Sequence, residues 1–327
     1  MRHQNILVIG GAGFIGRHVI HRLAALGRRV LVAARRRQDA RDLILLPTVD
    51  VVDANVHDDA TLARLIADQD AVINLVGILQ DRRGPAGSPY GPGFARAHVE
   101  LPRRIVKAAE QAHVRRLLHV SALGADPRAP SMYLRSKADG EAAVKAGQED
   151  GIATTVFRPS VVFGREDRFL NMFAELAAWL PVLPLGSADA CFQPVWVEDV
   201  AAAIVTALDT EATFGRTYEL CGPRVYTLQE LAEFAARASG HPRRVVALPA
   251  GLARLQARLM ELLPGEPLLS RDNLDSMKVN NVASKQPYVP APELGIHPAS
   301  LEVEAAVYLS GVSAQRRFSR FRARAHR

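Results

Sequence analysis

The chain has 327 residues, enough for one large folded unit or two. Apolar residues make up 48% and charged residues 23%, which excludes a largely disordered or fibrous chain. The formal net charge is +7, but six arginines and no acid lie between Arg316 and Arg327; the other 315 residues carry +1, so the basic balance does not point to a nucleic-acid-binding body.

Short β-rich runs alternate with helical periodicity through the first half. Strands are expected at Asn5–Ile9, Val30–Ala34, Val49–Val52, Ala71–Leu75, Leu117–Val120 and Thr154–Arg158. Helices are expected at Phe14–Leu26, Ala60–Ile66, Phe94–Ala112 and Met132–Gln148. Strands separated by helices imply right-handed βαβ units and a parallel sheet covered on both faces. The near-continuous apolar runs Ile6–Ile9 and Ala71–Leu75 suit strands buried on both sides. The Gly- and Pro-rich stretch Gly77–Gly93 reads as a long loop, either an active-site cover or an unstructured segment.

Beyond Gly164 the pattern changes to helices at Phe169–Leu180, Glu198–Leu208 and Leu228–Ala238, a short strand at Thr217–Leu220, and prolines up to Pro298. The expectation is a doubly wound α/β Rossmann domain over residues 1–164, interleaved with a smaller C-terminal α/β substrate or partner domain over 165–315. A basic tail follows at 316–327.

The strongest local signal is Gly10-Gly11-Ala12-Gly13-Phe14-Ile15-Gly16, between a strand and a helix. Two registers fit, G-x-G-x-x-G on Gly11, Gly13 and Gly16 and G-x-x-G-x-x-G on Gly10, Gly13 and Gly16. Glycines permit the tight turn and bring backbone N–H groups and a helix N-terminus up to a pyrophosphate. The second strand ends Ala33-Ala34-Arg35-Arg36-Arg37, without the acid that accepts from a ribose 2′-hydroxyl. Arginine there suits a 2′-phosphate. The expected cofactor is therefore NADP(H) in preference to NAD(H), with Arg35 as its contact.

Tyr133 and Lys137 stand four apart on one helix face, twelve residues beyond Ser121 at a strand end. An ammonium beside a phenol favours phenolate and equips the tyrosine for proton exchange with a carbonyl or hydroxyl. His18 and His21 stand three apart on a helix but lack a matching carboxylate, so no metal site is expected, and Cys191 and Cys221 lack both disulfide-framework and metal spacing. Asp58 and Asp59 read as a helix cap, and Glu198 and Asp199 as a first helical turn.

With the glycine loop, Asn74-Leu75-Val76-Gly77, Ser121-Ala122-Leu123-Gly124, Tyr133-Leu134-Arg135-Ser136-Lys137, Arg158-Pro159-Ser160 and Trp196-Val197-Glu198-Asp199-Val200 in place, the chain resembles the short-chain dehydrogenase/reductase (SDR) superfamily in its extended-like and atypical branches. The run Phe163–Asn171, with Tyr133, Lys137 and Gly140-Glu141, is similar to the SDR-type accessory subunit family of respiratory complex I, alpha subcomplex subunit nine. Thirty-six arginines against five lysines suit a GC-rich bacterial gene.

The resemblance implies roles residue by residue. Gly10, Gly13 and Gly16 hold pyrophosphate, together with the adjoining Gly11, Phe14 and Ile15, and Arg35 holds the 2′-phosphate. Asn55 and Val56 flank adenine, with Asn in place of the usual acid; Val76 and Gly77 border ribose; Pro159 and Ser160 lie near nicotinamide. Ser121 orients a substrate oxygen, Tyr133 exchanges its proton, and Lys137 binds ribose hydroxyls and tunes Tyr133. The asparagine that often completes this group falls near His98. Two functions follow from the likeness. One is an NADP(H)-holding component of a respiratory or quinone-biosynthesis complex. The other is an active reductase or epimerase/dehydratase on a quinone-pathway, isoprenoid or sugar-nucleotide substrate.

No run reaches about 18 uninterrupted apolar residues, and strand-like sequence from Asn5 leaves no secretory leader, so a cytoplasmic protein is expected. Leu252–Leu263 forms an amphipathic basic stretch, and the tail alternates arginine with Phe318 and Phe321. Each has two readings: packing or solvation of its own chain, or peripheral contact with anionic lipid on the inner membrane face.

Overall fold

A computed structural model describes residues 3–82, 84–85, 87–265 and 267–310. The basic tail lies outside the described residues. In chain order the elements are β1 (Asn5–Ile9), α1 (Phe14–Ala25), β2 (Arg29–Ala34), β3 (Val49–Asp53), α2 (Asp59–Ile66), β4 (Ala71–Asn74), α3 (Pro92–Phe94), a π-helical turn (Ala95–Glu100) and α4 (Leu101–Gln111). Next come β5 (Arg116–Val120), α5 (Met132–Ala146), β6 (Ala153–Pro159), β7 (Val162–Phe163), α6 (Phe169–Trp179), β8 (Val182–Gly186), β9 (Cys191–Phe192) and β10 (Val195–Trp196). The remainder is α7 (Val197–Asp209), β11 (Arg216–Leu220), β12 (Tyr226–Thr227), α8 (Leu228–Ala238), β13 (Arg244–Leu248), α9 (Ala250–Met260), α10 (Arg271–Ser276) and a helical stretch over 301–310.

The chain divides into two compact units. The first takes residues up to Pro159, Val197–Leu220 and Val289–His297; the second takes Ser160–Trp196, Cys221–Tyr288 and the chain from Pro298. In the first unit a seven-stranded sheet runs β11-β6-β5-β4-β1-β2-β3, parallel throughout. Each of the six strands expected in the first half forms within one residue of its expected ends. Ile6, Leu7, Val8, Val72 and Ile73 are fully buried, as strands covered on both faces require. Asp58 caps α2 by accepting from Thr61 N at 2.8 Å, and Glu198 and Asp199 occupy the first turn of α7. Glu198 also accepts from Arg22 Nε at 2.9 Å and pairs with His18 Nδ1 at 2.6 Å, which fixes α7 against α1.

Arg116 opens β5 and is 1% exposed. Its guanidinium donates to the carbonyls of Ala207 (2.6 Å) and Leu208 (3.1 Å) at the end of α7, to Ala153 O (2.8 Å), and to the Thr155 and Thr213 hydroxyls. A buried cation is thus satisfied by the orphan carbonyls and negative dipole end of a helix. Burial still pulls its pKa down to about 10.

The second unit is built from three two-stranded pieces, β10-β7, β12-β9 and β13-β8, packed with α6 and α8 around Phe163, Phe173, Leu231, Ala235 and Leu309. The run Phe163–Asn171 leads from the end of β7 into the first turn of α6. The buried Asp167 carboxylate accepts from the backbone N–H of Gly164 (3.0 Å), Leu170 (2.7 Å) and Asn171 (3.3 Å), and from the Tyr308 hydroxyl (2.6 Å). The Asn171 carboxamide returns a bond to Asp167 O at 2.8 Å. These residues nucleate a helix and hold the segment 301–310.

Candidate functional site

At the carboxyl edge of the parallel sheet, Gly10 takes φ +84° and passes so close to β4 that a Cβ would stand 3.0 Å from the Leu75 carbonyl carbon and Val76 N. Gly11 is buried against Ile20 and Val32. A Cβ on Gly16 would lie 2.5 Å from Gly11 O and 2.6 Å from Gly11 Cα, so α1 starts directly on the loop backbone. Gly13 is the exposed N-cap of α1, with no side chain capping it and no acid in the first turn; Phe14 and Ile15 follow, half-buried. The loop leaves backbone donors and a positive dipole end open for an anion.

Arg35 follows β2 directly, is exposed, and makes no hydrogen bond or ion pair among the described residues. Next to it, the Arg36 guanidinium pairs with Asp39 at 3.5 Å, and the backbone N–H of Arg37 donates to the Asp53 carboxylate. Asn55 is exposed after β3 and accepts from His57 N at 3.2 Å, while Val56 is half-buried on the core.

The third group sits where β4, β5 and α5 meet. Lys137 is 3% exposed and donates to Val120 O at 2.8 Å. Burial lowers its pKa to about 8, opposed by Glu141, which is itself buried and clasped by Arg158 through 2.7 and 2.8 Å bonds. Burial pushes the Tyr133 phenol up to about 12, so it is a proton-bearing group at neutral pH. Desolvation is the cause, and the phenolate-favouring effect expected of Lys137 does not appear. Ser121 is buried, and its Oγ has no hydrogen-bond partner among the described residues. Gly77 borders the cluster: a Cβ there would be 4.0 Å from both Lys137 Nζ and His98 Nε2.

His98 is engaged on both ring nitrogens. Ile78 N donates to Nε2 at 3.0 Å, which leaves Nδ1–H to donate to Ser136 Oγ at 2.8 Å, and that hydroxyl donates to Tyr133 O at 2.7 Å. Burial and the neighbouring Lys137 hold its pKa down at about 2. Neutral, stacked on Phe94 at 5.2 Å and edge-on to Tyr133 at 5.7 Å, it fixes the tyrosine's helix and has no free nitrogen for proton relay.

One feature escaped the sequence reading. Asn74 and His119 are opposite each other in the β4–β5 register and both are 1% exposed. Val76 N donates to Asn74 Oδ1 at 3.2 Å, so the carboxamide Nδ2 donates to His119 Nδ1 at 3.1 Å, leaving Nε2–H buried without a partner. This pair fixes the Val76–Gly77 backbone. Its signal was a polar residue, Asn74 or His119, at or next to the C-terminal end of each of two strands.

The loop 77–93 is latched to α5 among its described residues. Arg135 donates to Pro89 O at 2.6 Å, and the Tyr90 hydroxyl donates to Asp139 at 3.0 Å. The carbonyl of Pro159, at the end of β6, accepts from Leu123 N at 3.0 Å. Ser160 belongs to the second unit, where its hydroxyl donates to Asn281 Oδ1 at 2.6 Å. The geometry therefore gathers Ser121, Tyr133, Lys137, Val76 and Gly77, with Gly10 against the end of β4. Arg35, Asn55 and Val56 follow the neighbouring strands β2 and β3. No group of three or more His, Cys, Asp or Glu suited to a metal ion occurs among the described residues, and both cysteines are free.

An open cradle without an acid, beside a buried serine hydroxyl lacking a partner, fits a phosphate-bearing dinucleotide on structural grounds. Comparison with known proteins agrees. The profile of the NAD dependent epimerase/dehydratase family matches residues 6–221. The mouse mitochondrial NADH dehydrogenase [ubiquinone] 1 alpha subcomplex subunit 9 is 31% identical over 91% of this chain and 78% of its own length. A ceramide reductase of Caulobacter vibrioides is 31% identical over 75% of this chain and 73% of its own. Among solved structures, the dTDP-glucose 4,6-dehydratase DesIV of Streptomyces venezuelae, with NAD and TYD bound, superposes with a TM-score of 0.65 at 24% identity, covering 76% of this chain and 86% of that one. A sheet of this order, a glycine cradle of this geometry and a match across two thirds of the sequence lead to one conclusion: the chain belongs to the NAD dependent epimerase/dehydratase family of extended SDR proteins and is homologous to complex I alpha subcomplex subunit 9 over most of its length.

Proposed function

We propose that this chain holds NADP(H) in its first unit and serves as a cofactor-dependent structural or assembly component of a respiratory or quinone-linked complex, in peripheral contact with the inner face of the cytoplasmic membrane. The observation that carries the cofactor choice is the end of β2, where an exposed, uncommitted Arg35 stands in the place of a ribose-binding acid. Backbone N–H groups of Gly10–Gly16 hold the pyrophosphate, and Arg35 holds the 2′-phosphate. Asn55 and Val56 flank the adenine, Val76, Gly77 and Lys137 bind the nicotinamide-side ribose, and Pro159 borders the nicotinamide. When bound, the cofactor supplies or accepts hydride. The homology to alpha subcomplex subunit 9 proteins favours the complex-associated role.

A second reading, an active reductase or epimerase/dehydratase, is favoured by the protonated Tyr133 phenol and the partnerless Ser121 Oγ, a donor and an orienting hydroxyl for a substrate oxygen. The relationship to a protein named ceramide reductase supports it. Tyr133→Phe separates the two. A scaffold keeps NADPH binding and complementation of a deletion strain, whereas an enzyme keeps binding and loses both turnover and complementation. Mass spectrometry of the nucleotide released from purified protein should find NADP(H); NAD(H) alone would overturn the cofactor assignment.

A further inference from the structure

Helix α9 is mounted with its small residues inward. Ala253 and Ala257, 2% and 0% exposed, are its buried residues, and a Cβ on Gly186 of β8 would stand 2.6 Å from Ala253 Cβ. At about 100° per residue, Leu252, Leu255 and Leu259 fall together on the far side, and Leu262 follows in the turn after the helix. They are 55%, 53%, 56% and 76% exposed, and Leu263 continues the stripe at 65%. An ordinary surface helix turns such a stripe to its core.

Charge selects the occupant. Arg254 and Arg258 lie between the alanine face and the leucine face, both exposed. From Arg243 to Arg271 the sequence carries five arginines against two glutamates, Glu261 and Glu266. Glu261 is taken by Arg271 Nε at 2.8 Å. The nearby Asp275 is held chiefly by Lys278 at 2.7 Å, with Arg254 at 3.8 Å. What faces outward is a row of leucines with a cationic flank and no uncommitted acid among the described residues of the helix. That pattern fits an interface plane, with apolar side chains among acyl chains and arginines at anionic headgroups.

We propose that α9 and the Leu262-Leu263 turn dock the second unit on an anionic lipid surface. This rests on the peripheral-membrane part of the proposed function and identifies the element that makes the contact. It is independent of nucleotide binding and of chemistry at Tyr133.

The test uses the full chain, sedimented with vesicles of phosphatidylcholine alone or containing phosphatidylglycerol. Its variants are L255E/L259E, the milder L255S/L259S, R254Q/R258Q, and a chain whose six tail arginines are glutamine. NADPH affinity, measured on every sample, reports folding and the cofactor reading separately. The expected result is binding that requires phosphatidylglycerol, falls at least about tenfold in both leucine variants, and loses salt dependence in R254Q/R258Q, with NADPH affinity unchanged throughout. Leucine variants that bind like the parent, or loss of binding only when the tail is altered, would overturn the assignment to α9. Absence of any vesicle binding would overturn it too, as would a dimer that L255E/L259E dissociates, which would make a second copy the occupant.

Discussion

The two units differ in where they concentrate unusual residues: buried charge in the first around Lys137, exposed leucine in the second around α9. The first buries what proteins usually expose: Lys137, Glu141, His98, His119 and Arg116 are each at most 3% exposed. The second exposes what proteins usually bury, with Trp179 at 82% and five leucines of the α9 region above 50%. Buried charge has to be matched atom by atom, as Arg158 does for Glu141 and the end of α7 does for Arg116. Exposed leucine is costly unless something covers it. The first pattern underlies the proposed nucleotide site, and the second the proposed lipid-docking face.

The largest effect is expected at the cradle. Gly16→Ala forces a methyl into the Gly11 backbone, and should lower NADPH affinity by at least about 100-fold and stability by about 1–3 kcal/mol, read by calorimetry and urea melts. A variant that binds as the parent does would mean the loop is not the phosphate cradle.

Lys137 gives the next. Its folded pKa of about 8 lies below the ordinary lysine value of 10.5, so between these limits the unfolded chain binds more protons and stability rises with pH. From pH 7 to 9.5 this contribution should grow by about 2 kcal/mol, and Lys137→Met should abolish that rise in urea melts. Equal slopes in the two proteins would contradict the lowering of the Lys137 pKa by burial.

Arg35→Ser should weaken NADPH binding by about tenfold or more and leave NADH binding unchanged, which a competition titration would read. The smallest effects sharpen the view of α9. Ala253→Leu should cost about 1–3 kcal/mol, whereas Leu255→Ser should stay within about 0.5 kcal/mol. A reversed order would mean that the leucines, and not the alanines, face the core.

The sheet was legible because β1 and β4 are continuous apolar runs, which burial on both faces imposes, and because helical periods separate the strands except β2 from β3. Tyr133, Lys137 and Ser121 could be singled out from spacing alone. Their electrostatics could not, because desolvation depends on packing from Phe94 and His98, and His98 is presented by the π-helical turn within what reads as one continuous helix from Phe94. The Asn74–His119 pair depends on register between strands 45 residues apart in sequence. In the second unit, two-residue strands such as β7, β9, β10 and β12 are too short to carry a period. The leucine spacing of Leu252–Leu263 announced an amphipathic helix, but periodicity alone does not say which face is turned inward; the contact between Ala253 and Gly186 decides it.

The central claim is a dinucleotide cradle whose arginine edge reads the extra phosphate. Calorimetric titration of the purified, nucleotide-free chain with NADPH and with NADH at low ionic strength tests it directly. The account predicts saturable binding of both, tighter for NADPH by about tenfold or more. Heats indistinguishable from dilution for either nucleotide would contradict it.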